Sequence, residues 1–356
     1  MNRSAQLIQN INLTEQSAIL LSNESNMFYI SGYTGEGLLL IANQQCTVIT
    51  DFRYTEQAEN ETDNFVIEMT DKDHSPSQVV SFLLAKHKIK NLYFEASSMT
   101  VTNYERFQKA LPNITFKSIP NVIQEMRSIK DEAEINTIKE ACKISGDAFE
   151  ALLKTIKCGM TEKEVALMLE YDMQKRGATS TAFSTIVAAG KNGSLPHAVP
   201  GNYRIKQGDL VTIDFGAKVN HYCADMTRTI AFGQPSAEMK KVYDVVLAAQ
   251  RMSEAAIMPG KSCREVDAIA RDYINSNGYQ GRFGHGLGHS LGIEIHEEPR
   301  LNPTSKATLQ VGQLMTVEPG IYLPGIGGVR IENTVVVTKT GSTPLTLPTL
   351  ELIIIE

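Results

Sequence analysis

Short apolar runs and helical patterns alternate over the first part of the chain. The runs at 18–21, 37–41, 47–49, 65–69, 91–94 and 114–116 have the branched and aromatic content of strands. Between them, 54–61, 76–86 and 100–110 space their apolar positions as helices do, with Ser75 placed to open the second. Such alternation predicts a layered α/β domain. Asp51, Arg53 and Tyr54 follow one of its strands, where a structural ion pair is expected in preference to a ligand site. His74 and His87 lie in polar surroundings and are expected at the surface. Ser118-Ile119-Pro120-Asn121 reads as a linker, so the chain divides into domains 1–122 and 123–356.

The pattern then changes. A long helix opens with Asp131, Glu132 and Glu134, where the helix dipole favours acids, keeps Ile135, Ile138, Cys142, Phe149, Leu152 and Ile156 at helical spacing, and is stopped by Gly159. Thr161 and Glu164 have the spacing of a capping box and open a second helix that runs to Gly177. The pair recurs, with a long helix at 237–257 and a second box, Ser262 with Glu265, opening a helix that ends near Gly278. Gly159, Thr161, Glu164, Val165 and Gly177 each find their like 101 positions on, at Gly260, Ser262, Glu265, Val266 and Gly278. This is an internal repeat. Each copy is two helices followed by a hairpin, and a pseudo-twofold arrangement would bring the hairpins together.

Each hairpin carries two acids. In the first, 210–229, the reversal falls on Lys218-Val219-Asn220-His221, with His221 exposed. With the turn centred between Val219 and Asn220, Asp214 and Asp225 face each other, Cβ atoms about 5 Å apart. In the second, 311–337, Glu318 and Glu332 are equidistant from Gly325. Like charges so placed repel, and need a shared proton or a cation. Solvated acids would explain one hairpin alone. Four carboxylates in two facing pairs predict a two-metal site.

Composition narrows the field. The 356 residues are 42% hydrophobic, and a net charge of −6 without any Lys/Arg run speaks against nucleic acid or an anionic membrane as partner. The N-terminus lacks a signal-peptide core and no apolar run approaches a membrane span, so a cytoplasmic protein is expected. Five cysteines without a CxxC pair suit a reducing compartment. Cys223, two residues from Asp225, is expected to pack and not to ligate. Four of the seven histidines sit in loops beside the hairpins: His197, His285, His289 and His296. The glycines around His285 and His289 argue for close backbone approach. An anion-binding glycine loop is the rival reading, but no Lys-Ser/Thr follows.

The motifs Thr212-Ile213-Asp214-Phe215-Gly216, Asp225-Met226-Thr227-Arg228-Thr229, Gly284-His285-Gly286-Leu287-Gly288-His289, Thr316-Val317-Glu318-Pro319-Gly320 and Val329-Arg330-Ile331-Glu332-Asn333 resemble those of the proline-specific metallopeptidases, prolidase and aminopeptidase P. The resemblance covers nearly the whole chain. It implies an α/β creatinase-like N-terminal domain and an α+β pita-bread catalytic domain. It also implies that Asp214, Asp225, His289, Glu318 and Glu332 ligate two divalent ions, with Asp225 and Glu332 bridging them. Manganese is expected, with cobalt or zinc as alternatives. The implied reaction is hydrolysis of an Xaa-Pro bond in dipeptides or short peptides by a hydroxide held between the metals, with Glu318 shuttling the proton. His197 and His296 are expected to bind the carbonyl and the oxyanion, and Arg330 to orient Glu332. Tyr322 adds a donor, and His285 supports its loop or lines the substrate pocket. Arg300 resembles the arginine that reads the proline carboxylate, though it does not decide dipeptidase against aminopeptidase. The implied assembly is a homodimer, the cleft closed by N-terminal loops of the same chain or of its partner. Two rivals remain: a methionine aminopeptidase-like exopeptidase, and a non-catalytic pita-bread binding module.

Overall fold

A computed structural model describes residues 2–356, which form one compact unit reaching to Arg127 and a second, Ser128–Glu356. In the first unit a mixed sheet of six strands runs in the order Val66–Thr70, Cys46–Asp51, Leu38–Ala42, Ser17–Leu21, Asn91–Phe94, Thr115–Ser118. Helices Thr55–Glu61, Pro76–Lys86 and Val101–Ala110 fall where the pattern puts them. Helices Arg3–Asn10, Glu24–Ser31 and Val122–Ser128 are additions to that reading. The last carries the boundary beyond 122/123, because Ile123, Met126 and Arg127 are buried and Arg127 donates to Asn26 Oδ1 at 2.8 Å. Arg53 pairs with Asp51 at 2.8 Å in the exposed position expected of a structural ion pair. His87 departs from expectation: it is half-buried at the end of its helix.

In the second unit both copies of the repeat form. Helices Glu132–Leu153 and Glu162–Lys175 precede the first hairpin, and Ala237–Ala255 and Cys263–Ile274 precede the second. The corner between the helices is built the same way twice. Gly159 and Gly260 both take positive φ (89° and 82°), and their N–H groups donate to Ile205 O and Leu309 O, each at 2.8 Å. The capping boxes differ. Thr161 accepts from Glu164 N at 3.1 Å and Glu164 Oε2 accepts from Thr161 N at 2.7 Å, whereas Ser262 makes no side-chain cap bond. Thr161→Ala should therefore cost about 1 kcal/mol and Ser262→Ala only a few tenths. Urea unfolding of the two variants tests this, and equal losses would refute it.

The hairpins meet through one backbone bond and two threonine hydroxyls. Glu332 N donates to Thr227 O at 3.1 Å, Thr229 Oγ1 to Arg330 O at 2.8 Å and Thr334 Oγ1 to Asp225 O at 2.8 Å. Behind them lies a core that includes Val246, Val266, Leu287, Val317 and Ile331, all fully buried.

Candidate metal centre

The register of the second hairpin is the one read from the sequence. Leu314–Val317 pairs with Asn333–Val337 and Gly320–Leu323 with Gly327–Arg330, each in register about Gly325, so Glu318 and Glu332 sit opposite in the gap between the two ladders. The first hairpin differs. Asn220 and His221 both adopt positive φ (45° and 70°) and form the two-residue turn, which moves its centre one position along. Asp214 consequently pairs with Thr227, not with Asp225. The shift is an even number of residues across the ladder, so Asp225 becomes the diagonal neighbour of Asp214 and keeps its face. The ladder also breaks at Gly216, where a Cβ would run into the Ala224 carbonyl.

Five side chains converge. Carboxylate oxygens of Asp214, Asp225 and Glu332 lie within 4.8 Å of one another. His289 Nε2 stands 3.6 Å from Asp225 Oδ2 and 3.4 Å from Glu318 Oε1. His289 is held there by the glycine loop: at Gly288 a side chain would strike Thr316 O, and His289 N donates to Thr316 Oγ1 at 3.0 Å. The backbone approach expected from these glycines is to that strand.

The group fits divalent cations on three counts. Asp214 Oδ1 and Glu332 Oε1 are buried without a hydrogen-bond partner among the described residues. Burial first, and then the neighbouring carboxylates, push Asp225 and Glu318 well above the usual carboxylate range, and Glu332 up to about 8. His289 Nδ1 lies 3.1 Å from Ser290 O, which only accepts, so the ring proton is on Nδ1 and the Nε2 lone pair faces two carboxylates. Burial and then His296 lower His289 to about 3, so the ring is neutral. Acceptors facing acceptors need a shared proton or a cation, and five of them, one a neutral imidazole, suit a cation.

Arg330 departs from its expected role. Its guanidinium donates to Asp214 Oδ2 at 2.6 Å, to Tyr322 Oη at 3.0 Å and to Thr227 Oγ1 at 3.2 Å; Glu332 is instead held by Thr227 Oγ1 at 2.6 Å. The tertiary crossing of the hairpins puts Asp214 nearer to Arg330 than its own strand neighbour. Thr227 and Thr316, whose hydroxyl donates to Glu318 Oε1 at 3.3 Å, are supports that the sequence reading quoted but did not assign. Each stands two residues from a carboxylate on the same strand face, and that spacing was the available signal.

A cavity of about 560 Å³ opens onto the five, lined also by His197, His285, His296, Arg300 and Arg330. His296 stacks edge-on to His289 at 4.5 Å between ring centroids, and burial followed by Arg300 lowers its pKa. His197 is exposed in the cavity, and Arg300 lies 3.4 Å from Glu298. His285 is fastened: Nδ1–H donates to Gly286 O and Tyr322 O–H to Nε2, both at 2.8 Å. Burial and then Arg330 lower it to about 4. Tyr322 thus spends its proton on His285, and its ring lines an adjoining cavity. Cys223 is buried and its thiol donates to Ile293 O, away from the carboxylates, as expected of a packed residue.

Residues 136–339 match metallopeptidase family M24, and residues 3–129 match the Creatinase/Prolidase N-terminal domain. The chain belongs to family M24. It is 40% identical over 338 residues to an Xaa-Pro dipeptidase of Pyrococcus horikoshii, covering 94% of each chain. Its fold matches the Xaa-Pro dipeptidase from Bacillus anthracis (TM-score 0.94, 40% identity, 99% and 98% covered). It also matches an X-Pro aminopeptidase from Thermotoga maritima (TM-score 0.92, 38% identity, 99% and 100% covered). As a member of M24 with the pita-bread fold, the protein is a hydrolase that uses divalent metal ions.

Proposed function

We propose that this chain is an Xaa-Pro exopeptidase, removing the residue that precedes proline from dipeptides or short peptides. Two divalent ions, manganese in the cell, are held by Asp214, Asp225, His289, Glu318 and Glu332. The observation that carries this is the convergence of those five acceptor side chains, two with orphaned buried oxygens, in one cavity. Bound there, two dications supply a water acidic enough to ionise at neutral pH and a Lewis acid for the scissile carbonyl.

The remaining work falls to the chain. Glu318, steadied by Thr316, takes the proton and delivers it to the proline nitrogen, which leaves as a secondary amine. His197 and His296, both reaching the cavity, donate to the carbonyl and to the tetrahedral oxyanion. Arg330 fixes Asp214, and Thr227 fixes Glu332. Phe183, Ile186, Pro196 and Ile295 give the cavity an apolar side for the pyrrolidine ring. Proline lacks the N–H that strand-binding proteases hold, so a pocket shaped for the ring replaces it. Arg300, which also lines the cavity, meets the proline carboxylate.

The enzyme acts on proline-containing peptides, not on nucleic acid or membranes, as a cytoplasmic homodimer. Five free thiols and a net charge of −6 support that setting, and no helix among the described residues is long and apolar enough to cross a membrane. Metal-stripped protein should leave Ala-Pro intact and cleave it when manganese is restored. Metal-loaded protein that ignores every Xaa-Pro peptide would sink the reading. Cleavage of methionine-initiated peptides would then favour a methionine aminopeptidase, and inertness a binding module.

A further inference from the structure

We propose that the cavity adjoining the metal centre takes the residues that follow proline in a longer peptide, and that the Arg282 guanidinium binds their terminal carboxylate. This rests on the Xaa-Pro exopeptidase reading above. The second cavity, about 380 Å³, shares Pro196, His197 and His285 with the larger one, so a chain leaving the carboxylate cluster past His285 enters it directly. Both volumes suit small-ligand sites.

Charge sets the direction. In the larger cavity Asp214, Asp225, Glu318 and Glu332 are committed to the proposed metal site, with Arg300 and Arg330 beside them, while among the described residues no carboxylate lines the second, which has Arg282. An enzyme that works at the amino end of a peptide holds a free ammonium on one side of the scissile bond and a carboxylate on the other. The second cavity, with a cation and no carboxylate among its described lining residues, suits the carboxylate end.

Arg282 is positioned but unspent. Its N–H donates to Tyr279 O at 3.0 Å and its carbonyl accepts from Tyr322 N at 3.1 Å, so the backbone is pinned on both sides. Its side chain makes no hydrogen bond or ion pair with any described residue. The neighbouring guanidinia are engaged: Arg271 with Asp267 at 2.8 Å and His285 O at 2.7 Å, and Arg330 with Asp214 at 2.6 Å. The wall between the cavities is equally set, because His285 is bonded on both ring nitrogens and does not swing in to fill the space. A free planar fork at the side of a roomy cavity matches a carboxylate in two-point geometry. Arg300 lines the larger cavity, within which a dipeptide ends; Arg282 serves the next residues.

The test compares manganese-loaded wild type with Arg282→Gln on Ala-Pro, Ala-Pro-Ala and the tripeptide amide, Ala-Pro-Ala-NH2. The exposed, unpaired side chain can be replaced without disturbing the fold, and a urea curve on the variant checks this. The expected result is that Arg282→Gln lowers the tripeptide-to-dipeptide ratio of kcat/KM on the order of tenfold, mainly through KM. Wild type should discriminate against the amide by a similar factor, and the variant should not. Equal losses on both acids, or no preference for acid over amide in wild type, would overturn the proposal. Cleavage of Ala-Pro with none of the tripeptide would overturn it and leave the Xaa-Pro reading standing, whereas cleavage of neither would remove both.

Discussion

Glu332→Gln is expected to abolish metal-dependent hydrolysis of Ala-Pro and to leave the fold intact. Glu332 is 1% exposed, its Oε2 accepts from Thr227 at 2.6 Å, and its Oε1 has no protein partner among the described residues. The amide keeps the shape and stands in for the protonated acid that the metal-free site holds, so the metal-free variant should lose little stability. What it loses is an anionic oxygen of the proposed metal cluster. Removing a hydrogen-bond support of a ligand costs about 10–100-fold in affinity or activity, so removing the ligand charge should cost more than about a thousandfold in kcat/KM. Thr227→Val supplies the graded comparison, with a loss in the 10–100-fold range, because Glu332 stays but is no longer held. Steady-state kinetics against manganese concentration, beside far-UV circular dichroism, reads both. Glu332→Gln retaining activity within tenfold of wild type would dismiss the five-ligand assignment.

Metal-stripped protein is expected to become less stable as pH rises, and divalent metal to offset that loss. Glu332 is raised from 4.5 to about 8 in the folded chain, chiefly by burial and then by Asp214, and Asp225 and Glu318 are also raised. Between these unfolded and folded values the folded state holds protons that the unfolded state releases, so stability falls from about pH 4.5 to about pH 8. Glu332 alone accounts for a few kcal/mol over that window. Divalent ions bind the ionised carboxylates, so the stabilisation they confer is larger at pH 8 than at pH 5.5. Urea unfolding with and without manganese at the two pH values measures it. A metal-free stability that rises over this range would contradict the assignment of buried, mutually repelling carboxylates.

Several features were legible before any fold was seen. The glycine-led corners and helix pairs of the repeat are local, so spacing exposed them, and Gly325 set the register of the second hairpin because a positive φ of 79° there suits glycine. The first hairpin turns one position beyond its expected centre, since Asn220 and His221 both take the left-handed region, which these residue types tolerate but do not dictate. Helix Glu24–Ser31 went unread although Asn23 caps it and Gly32, at φ 82°, ends it; its short length hides any periodicity. Ser262 has the sequence of a capping box and not its bonds.

By itself the sequence determined the repeat, the two acid-bearing hairpins and the histidine loop, because each depends on residue type and spacing within one segment. Tertiary structure decided which groups meet. Arg330 serves Asp214, across 116 positions, and not Glu332 two residues away. Lys130 is buried against Glu297 and Ser290, both at 3.1 Å, beside His296 and His289. Arg282 keeps its guanidinium free, while Arg271 is held by Asp267 one helical turn away and Arg330 by Asp214 from the other hairpin. These choices follow from how the two hairpins and the loops cross, and no local pattern encodes a crossing.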